Sequence, residues 1–142
     1  MDENNGELNI EQGADAEHRS EVKHRSLIKA FGYAFEGIAY SVRTQHNMRI
    51  HLVIAVCVLI ISIFLRLTPL EWAIILICIG LVIMTEMLNT AIEAIVDLVS
   101  PEYHNLAKVS KDLGAGMVVI FASLSAVVGS IVFAIAILRI WG

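Results

Sequence analysis

The chain has 142 residues, enough for one domain, and 57% of them are hydrophobic while 17% are charged. This balance is unusual for a water-soluble domain and indicates a membrane protein. The formal net charge of -4 comes mainly from an acidic stretch at the N-terminus. No segment suggests nucleic-acid binding, so we expect no nucleic-acid partner.

The N-terminal stretch differs from the rest of the chain because it is acidic and almost free of apolar residues. Its acidic residues are Asp2, Glu3, Glu7, Glu11, Asp15, Glu17 and Glu21. Such a segment cannot bury a core. We therefore predict a disordered tail over residues 1–22 and a membrane domain over residues 23–142.

Residues from about 23 to 47 have the pattern of an amphipathic helix. One side carries the apolar residues Leu27, Phe31, Ala34, Phe35, Ile38 and Val42. Lysine and arginine residues lie among them. A basic amphipathic helix with aromatic residues is typical of the membrane interface, where it lies on the bilayer.

Three apolar segments follow, at about 48–67, 70–99 and 113–140, and each is long enough to cross a membrane. Thr68-Pro69 predicts a tight turn between the first two, because proline suits the first turn of a helix. A polar connection over 101–112 precedes the third. Cys57 and Cys78 lie in apolar segments and are expected to pack there without forming a disulfide.

The basic residues predict the orientation. Six of them lie before the first apolar segment or at its start, namely Arg19, Lys23, Arg25, Lys29, Arg43 and Arg49, and Lys108 and Lys111 lie in the 101–112 connection. The turn after the first segment carries only Arg66. Because basic loops stay on the inner side, the N-terminus and the 101–112 loop are expected in the cytoplasm.

The second apolar segment carries a row of polar residues, Glu86, Asn89, Glu93 and Asp97. At about 100° per residue these four lie within an arc of roughly 80° on one helix face. Ionisable residues at membrane depth are costly and by default mark a functional site. With Lys108, Lys111 and His104 nearby, the row suits a nucleotide phosphate chain held through Mg²⁺, which binds one or two carboxylates plus phosphates.

Within this row Glu86 lies deepest and suits a general base on a lipid hydroxyl, while Glu93 suits the metal. The chain has no glycine-rich loop of the Walker or Rossmann type, which excludes a conventional nucleotide-binding fold. A small proton or cation transport protein that uses the carboxylates as a relay stays open as an alternative. A non-catalytic scaffold would leave the carboxylates unexplained.

Two stretches carry a family resemblance. The first is Glu86-x-x-Asn-Thr-Ala-Ile-Glu-x-x-x-Asp97, and the second is Glu-Tyr-His104-x-x-Ala-Lys-x-x-Lys-Asp112. Together with Lys29-Ala-x-Gly-Tyr33 they resemble the signature of the small prokaryotic membrane lipid kinases, which act on diacylglycerol or undecaprenol. The resemblance implies an all-α membrane protein of the bacterial cytoplasmic membrane. It also implies a homotrimer in which each subunit has three membrane helices behind an interfacial helix.

The resemblance further implies the roles of individual residues. Glu86 would be the catalytic base, Asn89 would help to arrange the site, and Glu93 would bind Mg²⁺. The residues that would contact ATP are Lys29, Tyr33, Asp97, Glu102, Tyr103, His104, Lys111 and Asp112. Gln45 stands where many members have a glutamate as a second metal ligand, so we expect weaker metal binding there. The Arg-Ile-His51 stretch and the row itself favour the undecaprenol kinase branch.

Overall fold

The structure, a computed structural model, describes residues 29–142, and all regular secondary structure in this range is helical. Helix α1 covers residues 29–44 of the described part. It is followed by α2 (His46–Phe64), α3 (Pro69–Val99) and α4 (Asn105–Trp141). The predicted all-α fold with three membrane helices is confirmed. The predicted tail over residues 1–22 and the first residues of the interfacial helix lie outside the described residues.

The chain divides into two units, Met1–Tyr40 and Ser41–Gly142. In the first unit the described residues 29–40 are helical and carry the exposed apolar side chains of Phe31, Phe35 and Ile38. Exposed aromatic and aliphatic side chains of this kind suit a helix that lies against lipid. The interfacial placement of this helix stays a prediction.

The three long helices of the second unit are apolar enough to cross a membrane, with mean hydropathies of 2.2, 2.1 and 2.6 for α2, α3 and α4. Only 17%, 33% and 11% of their most apolar windows are buried within the chain. The remaining apolar surface therefore needs lipid or another protein to cover it. The chain is a multi-pass membrane protein.

A break at Gln45 separates α1 from α2, whereas the sequence predicted one helix to about residue 47. Gln45 has an extended backbone, with φ −99° and ψ 120°. Its backbone N–H still reaches the Ser41 carbonyl at 2.9 Å, which completes the last turn of α1. Because the break lies at this residue, the extended backbone between α1 and α2 sets the direction of the Gln45 side chain.

The turn between α2 and α3 matches its prediction. Thr68 and Glu71 form a capping box, in which Glu71 N donates to Thr68 Oγ1 (3.4 Å) and Thr68 N donates to Glu71 Oε2 (2.7 Å). Pro69 occupies the first helical position. Arg66 has a φ of 49°, the left-handed conformation that lets the chain reverse direction.

Packing at this end of the molecule joins α4 to the α2–α3 turn. A core cluster holds Leu67, Ile75, Val132 and Ala136, with Trp72 and Phe133 packed against it. Arg139, near the end of α4, binds the α2–α3 turn through its side chain. In the structure its Nη1 donates to both carboxylate oxygens of Glu71 at 2.9 and 3.0 Å, and its Nη2 donates to the Arg66 carbonyl at 3.2 Å.

The start of α4 differs from the prediction, because the helix begins at Asn105 rather than near residue 113. The predicted start of the helix followed the last charged residue of the connection, Asp112. In the structure the polar residues from Asn105 to Asp112 already form the first two turns of α4. His104 caps the helix by accepting from the backbone N–H of Leu106 at 3.2 Å. Lys108 and Asp112 pair along the helix surface as i,i+4 neighbours. Cys57 and Cys78 are both free, and Cys57 is exposed whereas Cys78 is half-buried, so the predicted packing holds only for Cys78.

Candidate active site

The four polar residues of α3 form a gradient of burial along one face of the helix. Glu86 is 0% exposed and Asn89 is 3% exposed. Glu93 is half-buried and Asp97 is exposed. The row therefore leads from the interior of the helix bundle to the polar end near the α3–α4 connection.

Glu86 is the most unusual residue in the row. Both of its carboxylate oxygens are buried and accept no hydrogen bond from any residue in the described range 29–142. Buried acceptors of this kind are rare, because each carries a desolvation cost of about 1–3 kcal/mol or more. An unpaired buried carboxylate is suited to accept a proton from a bound ligand.

Glu93, by contrast, is held by two side-chain amides. Asn89 Nδ2 donates to Glu93 Oε1 at 3.0 Å, and Gln45 Nε2 donates to Glu93 Oε2 at 2.8 Å. One donor lies a turn away on α3 and the other lies at the break before α2. These two bonds fix the orientation of the Glu93 carboxylate. The Asn89 Oδ1 atom is buried and has no partner among residues 29–142.

The donor set around Glu93 is compatible with a hard cation that takes most of its ligands from phosphates. It consists of the Glu93 carboxylate, because Asn89 turns its Nδ2 towards Glu93 while its Oδ1 faces Gly114. Gln45, the predicted second ligand, turns its nitrogen rather than its oxygen towards Glu93. No group of three or more His, Cys, Asp or Glu side chains that could hold a metal ion occurs among the described residues. The described part of the chain therefore supplies few metal ligands.

A buried hydroxyl pair was missed by sequence reasoning. Ser41 Oγ and Thr90 Oγ1 lie 3.2 Å apart, and the two residues are 2% and 6% exposed. Thr90 also donates to the Glu86 carbonyl at 2.8 Å, so Ser41 is the donor to Thr90. The pair ties the end of α1 to α3 beside Glu86. The sequence gives only a weak indication of this pair: Ser41 precedes Gln45 by one helical turn, and Thr90 follows Asn89.

A polar pocket of about 320 Å³ opens where α3 ends and α4 begins. Its lining includes six of the predicted nucleotide-binding residues: Asp97, Glu102, Tyr103, His104, Lys111 and Asp112. Lys111 Nζ pairs with Asp97 Oδ1 at 2.5 Å across the connection. The structure thus brings these six residues together. The other two, Lys29 and Tyr33, are exposed on the helix of the first unit.

An apolar groove of about 340 Å³ lies between α2, α3 and α4. Its lining includes His51, Ala55 and Val58 from α2, Ile75, Ile79 and Ile83 from α3, and Ala122, Ala126 and Phe133 from α4. Small residues at intervals of four on α4, Ala122, Ala126 and Ser130, are part of this lining. Since Val82 and Ile83 precede Glu86 by about one turn, the His51 end of the groove lies beside the buried carboxylate.

These features define a multi-pass membrane protein with a buried carboxylate between an apolar groove and a polar pocket. The sequence profile of prokaryotic diacylglycerol kinase matches residues 32–133. The chain belongs to this family and is a lipid kinase.

Several relatives support this assignment. The undecaprenol kinase of Bacillus subtilis (strain 168) is 40% identical over 117 residues, which is 82% of this chain and 94% of the relative. The diacylglycerol kinase of Synechocystis sp. is also 40% identical, over 105 residues that cover 73% of this chain and 60% of the relative. That of Escherichia coli (strain K12) is 32% identical over 94 residues, 66% of this chain and 77% of the relative. The alternative of a transport protein finds no support in these comparisons.

Proposed function

We propose that this protein transfers the γ-phosphoryl group of ATP to the hydroxyl of a membrane lipid, with undecaprenol as the first candidate. The observation that carries the proposal is the buried Glu86 carboxylate, which has no hydrogen-bond partner among residues 29–142. It lies on the same face of α3 as Glu93 and Asp97, which lead to the polar pocket. A base for the lipid and a site for the nucleotide therefore share one helix.

The length of α3 supports this arrangement. At 1.5 Å per residue, Glu86 lies about 26 Å along the helix axis from Pro69, and Glu93 lies about 36 Å along it. The hydrocarbon layer is about 30 Å thick. If the layer begins near the Thr68 turn, Glu86 lies just inside its opposite boundary and Glu93 lies outside it. Glu86 can then meet a lipid hydroxyl while Glu93 meets water-soluble phosphates.

In the proposed reaction Glu86 accepts the proton of the lipid hydroxyl. The oxygen of that hydroxyl forms a bond to the γ-phosphorus of ATP, and the bond between this phosphorus and the β–γ bridging oxygen breaks. ADP leaves with the electron pair. Phosphoryl transfer needs alignment and charge neutralisation more than covalent chemistry from the protein, which suits a site made of a few fixed side chains.

Glu93 would hold Mg²⁺, Asn89 would help to arrange the site, and Gln45 is the weaker candidate ligand. When bound, Mg²⁺ neutralises phosphate charge. The protein contributes the fixed direction of the Glu93 carboxylate, which the Asn89 and Gln45 amides orient at 3.0 and 2.8 Å.

The pocket at the α3–α4 connection would hold the nucleotide. Lys111 would contact the phosphates, and its present partner is Asp97. Tyr103 is 80% exposed and could stack on the base. Asp112, Glu102 and His104 complete the wall, and Lys29 and Tyr33 would approach from the surface helix.

The hydrocarbon tail of the acceptor would lie in the apolar groove, with its hydroxyl at the His51 end beside Glu86. Undecaprenol is preferred because the alignment with the undecaprenol kinase of Bacillus subtilis covers 94% of that protein. Diacylglycerol is the second candidate, since the Synechocystis relative that bears that name is equally identical over its aligned part. Both lipids would present a primary hydroxyl to the same base.

The nucleotide pocket would face the cytoplasm, because ATP is available there and the basic residues predict the same side. We propose in addition that the protein assembles as a homotrimer. The large exposed apolar surfaces of α2 and α4 leave room for contacts between subunits.

The test is transfer of labelled phosphate from ATP to lipid by the purified protein in lipid vesicles with Mg²⁺. We expect labelled undecaprenyl phosphate at a higher rate than labelled phosphatidic acid. Absence of label in both acceptors would refute the proposal. Glu86→Gln keeps the volume of the side chain but removes the base, so it should abolish transfer. Glu36→Gln, at an exposed position of α1, is the matched control and should retain the wild-type rate.

A further inference from the structure

Gly114 is the one buried glycine among residues 29–142, and it lies on α4 opposite the polar row of α3. A Cβ atom built at this position would lie 2.5 Å from Asn89 Oδ1 and 3.5 Å from Asn89 Cγ. A carbon–oxygen contact of 2.5 Å is far inside the contact distance, so the Asn89 carboxamide occupies the space that a side chain at residue 114 would need.

The same measurement shows which atoms would have to move. The Cβ would lie 3.7 Å from Asn89 Cα, which is an ordinary van der Waals distance. The backbones of α3 and α4 therefore already leave room for an alanine. Only the carboxamide obstructs it, and the carboxamide can turn away by rotation about its side-chain bonds.

The orientation of that carboxamide matters to Glu93. In the present orientation Asn89 Nδ2 donates to Glu93 Oε1 at 3.0 Å, while Oδ1 points to Gly114 and has no hydrogen-bond partner among residues 29–142. Asn89 is 3% exposed, so few alternative partners are available to it. A rotation that relieves the clash would also remove the donor from Glu93.

We propose that Gly114 is a positioning residue of the active site. Because Gly114 has no side chain, the Asn89 amide has room for the orientation that directs the Glu93 carboxylate. The inference rests on the roles proposed above for Asn89 and Glu93. Gly114 touches neither nucleotide nor lipid and acts through Asn89. It thus gives α4 a part in the site beyond the residues at its N-terminal end.

The experiment compares Gly114→Ala with Gly116→Ala in the full-length protein in detergent micelles. Gly116 lies on the same helix, and a Cβ built there meets no atom within 4 Å. The side-chain NH₂ signals of ¹⁵N-labelled asparagine are recorded, and Asn89→Ala identifies the Asn89 pair by its loss. We expect the Asn89 signals to shift and to exchange faster with water in Gly114→Ala, and to stay unchanged in Gly116→Ala.

Kinetic measurements then test whether displacement of the Asn89 amide affects phosphoryl transfer. Gly114→Ala should lower kcat for phosphoryl transfer by about tenfold or more, as expected for loss of a hydrogen bond to a charged group, while Gly116→Ala stays within about twofold. The KM for ATP should change little, because the polar pocket is untouched. A global loss of folding would instead broaden signals from the whole protein.

Two outcomes would overturn the inference: Asn89 signals in Gly114→Ala that coincide with those of the wild type, or shifted signals with an unchanged kcat. A wild-type protein that phosphorylates no lipid would refute the proposed function instead. In that case the NMR comparison would still decide whether Gly114 controls the orientation of Asn89.

Discussion

Gln45 donates a hydrogen bond from Nε2 to Glu93 Oε2 at 2.8 Å, and this bond links the break before α2 to the polar row of α3. Both residues are half-buried. The neutral amide thus stabilises the carboxylate and adds no second negative charge to the site. In this arrangement Gln45 acts on Glu93 as a hydrogen-bond donor.

Gln45→Glu should convert this attraction into repulsion between two carboxylates. Without divalent cations the variant should be less stable than the wild type, because hydrogen bonds to charged groups are worth about 1.5–3 kcal/mol and like charges repel. Added Mg²⁺ should restore its stability and bind more tightly than to the wild type. Melting temperature measured with EDTA and with increasing Mg²⁺ checks both expectations.

Gln45→Ala is the control for this prediction, since it removes the hydrogen bond without adding charge. It should be destabilised both with and without Mg²⁺. A Gln45→Glu variant whose melting temperature does not respond to Mg²⁺ would contradict the placement of a metal at Glu93.

Lys111→Gln should raise the KM for ATP several-fold, because it removes the cation that pairs with Asp97 and faces the polar pocket. Stability should fall by no more than about 1 kcal/mol, as both partners are substantially exposed. Lys108→Gln is the comparison, since Lys108 pairs with Asp112 along α4 and should affect the KM less. Initial rates over a range of ATP concentrations measure the difference. Equal KM values for all three proteins would argue against Lys111 as a phosphate contact.

The polar row and the Lys108–Asp112 pair were predictable because both depend on the spacing of residues along one helix. Intervals of three and four residues place side chains on one face whatever the helix packs against. The turn at Thr68-Pro69 was predictable for the same reason, since the residues that form the capping box are neighbours in the sequence.

Contacts between helices could not be derived in this way. The Ser41–Thr90 pair and the contact of Gly114 with Asn89 join residues far apart in the chain. Both contacts depend on how closely the two helices pack against each other. The start of α4 was placed too late for a different reason. The loss of charge after Asp112 marks the apolar part of the helix, whereas the helix itself begins at the His104 cap.

Thr90→Val should destabilise the protein by about 1–3 kcal/mol, because it leaves the buried Ser41 hydroxyl without its partner. Ser41→Ala should cost less, since Thr90 still donates to the Glu86 carbonyl. The double variant should be less destabilised than the sum of the single variants, as expected for residues in contact. Unfolding by SDS in mixed micelles provides the free energies, and strict additivity would contradict the coupling.

Arg139→Gln should lower stability by about 1 kcal/mol and leave the KM for both substrates unchanged, because Arg139 and Glu71 lie at the end of the molecule away from the polar row. Arg139→Lys tests the geometry. A lysine keeps the charge but cannot reach both carboxylate oxygens and the Arg66 carbonyl in the same way. It should recover only part of the loss in thermal melts, and full recovery would show that charge alone matters.

Ala126→Phe should raise the KM for the lipid acceptor by about tenfold and leave the KM for ATP unchanged. Ala126 lines the apolar groove between α2, α3 and α4, so a phenyl ring at this position would fill the space proposed for the hydrocarbon tail. Val127→Phe is the matched control, because Val127 is 57% exposed on the outer side of α4 and a larger apolar side chain there faces lipid. Rates measured against increasing mole fraction of undecaprenol separate the two variants. If Ala126→Phe and Val127→Phe behave alike, the acceptor binds elsewhere on the protein.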